Sequence, residues 1–134
     1  MAPDGLITIE SPYGPEETMN RFEAEVRARG MTVFAHIDHA AGATAAGLLL
    51  RPTELLIFGN AKAGTPLMQS TQTFGIDLPL KALVWQDASG TTWLSYNDSA
   101  FLAQHHGLDG TDNTTINAIA AALKAIASKA TTLS

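Results

Sequence analysis

The chain has 134 residues, 46% of them hydrophobic, and eight Lys and Arg against thirteen Asp and Glu give it a formal net charge of −5. This length and composition predict one domain with one core, and the scattered acidic excess argues against nucleic acid or an anionic lipid surface as a partner. The absence of cysteine excludes thiolate nucleophiles, redox CxxC pairs, thiolate zinc sites and disulfides.

The N-terminal sequence MAPDGLITIE has neither the basic region nor the apolar region of a signal peptide. No apolar run in the chain approaches the length that a bilayer requires. We therefore expect a soluble cytoplasmic protein that does not bind a membrane.

The first strand and the first helix are indicated by alternation followed by capping signals. Residues 5–10 alternate in the way of a half-buried strand, which Ser11 and Pro12 end. Pro15 suits the first turn of a helix, and Gly30 suits the left-handed residue just after its end.

A second strand, a short helix and a third strand are predicted next. Residues 31–38 alternate again, and Asp38 can cap an Ala-rich helix over residues 40–46. Residues 54–59 form a nearly continuous apolar run, which is typical of a central strand.

The following segment predicts a helix and a hairpin. Thr65 is a good N-cap and Pro66 suits the first helical position, so a helix of about two turns should begin there and close at Gly75. Residues 81–86 and 91–97 flank a four-residue loop that ends in Gly, which favours a hairpin.

Two further helices complete the pattern. Asp98 can cap a short helix that Gly107 ends, and apolar residues at helical spacing run from Asp112 to the C-terminus. Without the short helices the order is strand, helix, four strands, helix. Two long one-sided helices need a sheet face to cover, so we predict an α+β fold with a mainly antiparallel sheet.

Several separated words give the chain a resemblance to a known family. They are IDHAAGA (37–43), ELLIFGNAKAGTPLMQ (54–69), DLPLKALVW (77–85), WLSYND (93–98) and HHGL (105–108). On these words, which span nearly the whole chain, the sequence resembles the domain of unknown function 302 family. The resemblance implies a fold like that of TATA-binding-protein half domains, and it implies no catalytic residue, cofactor or substrate.

Four histidines invite the hypothesis of a zinc or copper site, since imidazole is a common ligand of both metals. His36 and His39 fall three residues apart where the strand ends, and strand residues three apart face opposite sides. His105 and His106 are adjacent, and adjacent helical residues diverge by about 100°. Only one histidine of each pair could then converge, and we choose His39 and His106 because both lie at a cap or a helix end. We favour hydrogen bonds at helix ends over metal. We likewise favour Asp38 as an N-cap over Asp38 as an acid that orients His39.

A loop after the third predicted strand has the composition of an anion site. Asn60, Lys62 and Thr65 together resemble a phosphate-binding loop, although the spacing is not that of a Walker motif. The loop either binds an anion or a carboxylate or is merely fixed by Asn60 and a Thr65 cap. The resembled family usually has Pro where this chain has Ala61, so the loop should be less rigid here.

The end of the hairpin supplies further candidates. Tyr96 and Asn97 could line a pocket, although an Asx turn and an Asp98 cap explain the same residues without a ligand. Trp85 and Trp93 are better explained as a cross-strand pair than as a platform for bases, because no basic residues lie between them.

Our leading functional hypothesis is a module that binds a small polar or anionic ligand and uses no cofactor. Its cleft would be formed by residues 60–65, Tyr96, Asn97 and either His39 or His106. One alternative is a structural or interaction module, such as a homodimer, that pairs an apolar strand edge or helix face with another chain. A second alternative is an enzyme in which His39 or His106 is the general base and Tyr96 the acid.

Overall fold

The computed structural model describes residues 3–108 and 113–133. In this part of the chain, five strands form one sheet. Their bounds are β1 Leu6–Ser11, β2 Thr32–Asp38, β3 Thr53–Gly59, β4 Leu80–Gln86 and β5 Thr92–Asn97. The α-helices are α1 Pro15–Ala28, α2 His39–Ala45, α3 Ala61–Ser70, α4 Ser99–His105 and α5 Thr114–Thr131, and a 3-10 helix spans Gln72–Asp77.

The sheet has the strand order β1-β5-β4-β3-β2, and every neighbouring pair is antiparallel. The predicted α+β class and the order strand, helix, four strands, helix are therefore confirmed. β1 and β2 form the two edges. β2 carries a bulge between Val33 and Ala35, where its register against β3 shifts.

Helices α1 and α5 pack together and bury one face of the sheet. Phe22 of α1 meets Phe58 of β3 edge-on, with ring centroids 5.4 Å apart. Ile116, Leu123 and Ile126 place one face of α5 in the same core. Burying a side chain of this size contributes about 1.5 to 3 kcal/mol, so these two helices hold the sheet in place.

Local capping agrees with the sequence at several helix ends. Asp38 accepts a hydrogen bond of 2.8 Å from the Ala41 amide, and Asp98 accepts one of 3.1 Å from the Ala100 amide. Gly30 follows the C-cap residue of α1 and has a φ of +77°, a conformation that glycine adopts without steric cost. The predicted start of the last helix at Asp112 lies outside the described residues, which show Asn113 as the N-cap.

The predicted start of the third helix was wrong. Helix α3 begins at Ala61, where Asn60 accepts a hydrogen bond of 2.8 Å from the Lys62 amide. Thr65 and Pro66 therefore lie inside the helix rather than at its start. The helix begins after Asn60 because the Asn60 side chain accepts from the Lys62 N–H, which would otherwise be unpaired, about one turn before Thr65. The helix also ends before Gly75, and the 3-10 helix follows it.

The two tryptophans form a cross-strand pair in the hairpin. Trp85 lies opposite Trp93, and their rings stack with centroids 6.1 Å apart. The Trp93 indole N–H donates to Asp87 Oδ2 at 2.8 Å. This bond, followed by one from the Thr91 amide, holds the pKa of the Asp87 carboxyl below its ordinary value.

Candidate functional site

A cavity of about 340 Å³ lies at the end of the sheet where β3 finishes. Its walls come from the start of β2, the residues around the N-terminal half of α3, the segment that leads into β4, and one face of α5. The lining residues are Met31, Phe34, Gly59, Asn60, Ala61, Ala63, Gly64, Thr65, Met68, Gly75, Leu78, Pro79, Leu80, Ala118, Ile119 and Ala122.

Gly59 and Gly64 lie in the wall between α3 and β4. A Cβ on Gly59 would lie 3.5 Å from Pro79 Cβ, and a Cβ on Gly64 would lie 3.4 Å from Leu78 Cδ1. Both distances are ordinary van der Waals contacts, so an alanine would fit at either position beside the Leu78 and Pro79 side chains.

Small side chains on α5 leave space on the opposite wall. Ala118 and Ala122 are four residues apart, so they lie one turn above the other on the same helix face. Ile119 beside them is buried, which anchors this part of α5 to the core.

The cavity is apolar apart from two lining side chains. Of the lining side chains, only Asn60 and Thr65 carry a hydrogen-bonding amide or hydroxyl, and none is ionisable. The Asn60 side-chain oxygen is engaged as the cap of α3, which leaves its –NH₂ group to donate. The arrangement can hold an apolar body and bond one acceptor group.

Of the residues predicted to bind a ligand, the structure brings Asn60 and Thr65 to this cavity. Lys62 lies between them in sequence but is exposed and is not among the lining residues. The anion site that the loop suggested therefore lacks its cation at this position.

The structure places His39 and Asn60 at opposite ends of the neighbouring strands β2 and β3. β2 runs antiparallel to β3, so Asp38, just before His39, pairs with Glu54 near the start of β3. Asn60 instead follows the end of β3. The two ends of a strand of this length are roughly 20 Å apart. The side chains of His39 and Asn60 therefore do not share a site.

His106 packs against the 3-10 helix that supplies the lining residue Gly75. Its Nε2 shares a hydrogen bond of 2.5 Å with Asp77 Oδ2, and its ring lies against Phe74 with centroids 4.8 Å apart. Phe74 is buried and precedes the lining residue Gly75. The buried His106 thus fixes the 3-10 helix to the end of α4 and is not itself a lining residue.

Tyr96 and Asn97 also lie away from the cavity. Tyr96 is only 5% exposed, and its burial, followed by the charge of Asp98, raises its pKa above the ordinary value. No described residue accepts a hydrogen bond from its hydroxyl, and neither His39 nor His106 is bonded to it. The acid–base pair of the enzyme hypothesis is therefore not assembled in the described part of the chain.

The remaining titratable groups do not converge on a metal. Across residues 3–108 and 113–133, no group of three His, Asp or Glu side chains is arranged to hold a metal ion. His36 is instead near two carboxylates, with Nε2 at 3.5 Å from Glu54 and Nδ1 at 3.9 Å from Glu23.

Sequence reasoning missed most of the cavity lining, including Met31, Phe34, Met68, Ala118 and Ala122. Ala118 and Ala122 gave no distinguishing signal, because α5 contains seven alanines. The apolar residues gave no signal, because a residue that lines a cavity has the same chemistry as one in the core.

The chain matches a known sequence family and a solved structure of the same fold. The sequence profile described as domain of unknown function DUF302 matches residues 7–126. The crystal structure of an uncharacterized conserved protein DUF302 from Bacillus stearothermophilus has the same fold, with a TM-score of 0.75 and 20% identity. That match covers 96% of this chain and 97% of the other.

The chain is also similar to part of larger curated proteins. Fluoride-specific ion channel FluC 1 of Brucella suis and FluC 1 of Brucella abortus are each 50% identical to it over 115 residues, 86% of this chain. The match covers 45% of the first protein and 43% of the second, so the chain spans less than half of their length. Among the described residues, no helix has both the length and the apolar character that crossing a membrane demands.

Proposed function

The chain belongs to the family described as domain of unknown function DUF302, and for this member we propose that the cavity beside α3 binds a small, largely apolar molecule. One observation carries the proposal: a cavity of about 340 Å³ has apolar walls and two polar lining side chains, Asn60 and Thr65. Small-molecule sites in proteins have this size and this distribution of polarity.

The apolar walls favour a ligand over an empty groove. Native interiors are packed with few voids larger than a water molecule, and apolar surface exposed to water carries a free-energy cost. A molecule that displaces water from Met31, Met68 and Leu78 recovers part of that cost. The flexible thioethers of the two methionines can adjust to more than one ligand shape.

The lining also revises the ligand class expected from the sequence. A small anion would find no Lys, Arg or His among the lining side chains, and Lys62 is exposed outside them. Asn60 and Thr65 can instead bond one carbonyl, hydroxyl or ether oxygen of an otherwise apolar molecule. The curated relatives are named for fluoride, which is also a small anion and which this apolar lining does not suit.

Substitutions on α5 test the proposal. Ala122→Leu adds three carbons to the wall of the cavity, whereas Ala121→Leu adds them on an exposed position outside the lining. We expect 1-octanol or indole at millimolar concentration to raise the melting temperature of the wild type and of Ala121→Leu, because a ligand of the folded state stabilises it. The rise should be lost in Ala122→Leu.

Thermal shift gives the first measurement, and heteronuclear NMR shifts of residues around Met68 locate the binding. The proposal fails if no apolar probe raises the melting temperature, or if both leucine variants respond as the wild type does. Native mass spectrometry of protein purified from its own host then identifies the natural occupant.

A further inference from the structure

The outer side of the edge strand β2 is not paired with any strand of the described residues. The strand bonds to β3 on one side and has no strand neighbour on the other within the described residues. An edge of this kind presents a row of unpaired N–H and C=O groups, which are satisfied by water or by another strand. A β-strand can therefore bond this edge in place of water.

Side chains that normally protect an edge are missing from β2. The strand TVFAHID contains no Lys, Arg or Pro, and its one charged residue, Asp38, is engaged as the cap of α2. The opposite edge differs, because β1 contains Glu10 and is followed directly by Pro12. The bulge at Phe34 interrupts the regular edge of β2 and leaves Ala35 to Asp38 as its unbroken part.

Exposed apolar side chains are concentrated on β2 and on the segment between α2 and β3. Eight large hydrophobic residues are exposed among the described residues, and five of them belong to β2 or to its connection with β3. These five are Phe34, Ile37, Leu48, Leu49 and Leu50, and Leu49 is 99% exposed. Singly exposed apolar residues need no explanation, but a cluster beside an unpaired strand is typical of an interface.

We propose that β2 pairs antiparallel with β2 of a second copy of this chain across a two-fold axis. In such a pair, the start of β2 in one copy lies beside the end of β2 in the other. Glu54 pairs with Asp38, so the connection that carries Leu48 to Leu50 lies near the end of β2. The second copy's leucines are then brought toward Phe34, which is exposed near the start of the strand.

The arrangement explains why a second copy fits better than an unrelated chain. The two exposed apolar groups lie toward opposite ends of one strand, and a two-fold axis brings each group against the other, so both are covered twice. Phe34 also lines the cavity, so the second copy would cover the side of the cavity that Phe34 forms. The pairing does not depend on any ligand.

Oligomeric state measured against concentration tests the proposal. We expect analytical ultracentrifugation from about 1 μM to about 1 mM to show a reversible dimer of the wild type. Leu49→Glu should weaken the dimer at least about tenfold, because it places a charge in an apolar contact. Leu133→Glu is the matched control, since Leu133 is 73% exposed and distant in sequence from β2, and it should leave the dimer unchanged.

Hydrogen exchange at low and high protein concentration provides the second measurement. The amides of Ala35 to Asp38 should exchange more slowly at the concentration that favours the dimer, and those of β1 should not change. A wild type that stays monomeric throughout the range overturns the proposal, as does a dimer that Leu49→Glu leaves intact. Circular dichroism of each variant confirms the fold, which the nearly complete exposure of Leu49 should spare.

Discussion

At the scale of single residues, Asn60 has the clearest dual position, because it caps α3 and lines the cavity. Asn60→Ala should lower the free energy of unfolding by about 0.5 to 2 kcal/mol, since the Lys62 amide loses its acceptor. Asn60→Asp keeps an acceptor and should cost less. Urea unfolding measures all of these variants.

Lys62→Ala serves as the neighbouring comparison. The Lys62 side chain is exposed, so its removal should change the free energy of unfolding by no more than about 0.5 kcal/mol. A larger loss in Lys62→Ala than in Asn60→Ala would mean that the lysine head group has a structural partner and that the cap contributes little.

Asp87 makes a prediction about acid stability. Its pKa is held below the ordinary value by the Trp93 indole and the Thr91 amide, so the native state binds a proton less readily than the unfolded chain. The resulting stability is present at neutral pH and is lost as the pH falls below about 3.9, through the lower native pKa. Wild type should exceed Asp87→Asn in stability at pH 7, and the difference should shrink in acid.

Chemical unfolding at several pH values checks this expectation, with Asp4→Asn as a control for the change in charge. Asp4 is exposed and near the N-terminus, so that variant should follow the wild type across the acidic range. If the gap between wild type and Asp87→Asn is the same at pH 7 and in acid, the Trp93 bond does not favour the ionised carboxyl.

At the scale of elements, α3 contains a proline in a position that costs stability. Pro66 lies in the second turn, where its missing N–H would otherwise bond the carbonyl four residues earlier. Pro66→Ala should raise the free energy of unfolding by about 1 to 2 kcal/mol, after allowance for the more flexible unfolded chain.

Pro15→Ala is the matched control for that change. Pro15 occupies the first helical turn of α1, where the N–H has no helical partner, so alanine there gains no hydrogen bond. Thermal unfolding compares the two variants. A Pro66→Ala variant no more stable than Pro15→Ala would show that α3 accommodates its proline without cost.

The helices and strands could largely be predicted, because their signals are local. Alternation, caps such as Asp98 and exits such as Gly30 act within a few residues, and the structure has them where the sequence predicted. The start of α3 could not be predicted correctly because two valid local signals competed. Asn60 and the Thr65-Pro66 pair are both good N-terminal sequences, and the local pattern does not rank them.

The candidate site was predictable only in part. Asn60 and Thr65 were found because polar residues after a central strand attract attention, and both reach the cavity. His39 was grouped with Asn60, but the antiparallel direction of β2 beside β3 puts the two residues at opposite ends of these strands. Met31 and Ala118 were missed because long-range packing alone brings them together.

At the scale of the whole molecule, the match to the Bacillus stearothermophilus structure extends over nearly all of both chains. The fold is thus shared by these two proteins. The exposed segment Leu48 to Leu50 and the apolar cavity are described for this chain, and the structures of its relatives would show whether they have the same two features. The likeness to TATA-binding-protein half domains and the cytoplasmic location stay predictions.

The cavity also has a consequence for the order of events in folding. Its walls come from residues 31–34, 59–68, 75–80 and 118–122, so its two most distant segments are separated by most of the chain. Contacts between such distant segments form only after the entropy of closing a long loop has been lost. During synthesis on the ribosome, the residues of the first three walls are therefore made well before residues 118–122, which form the fourth. The cavity is complete for a ligand only after α5 has been made and has docked.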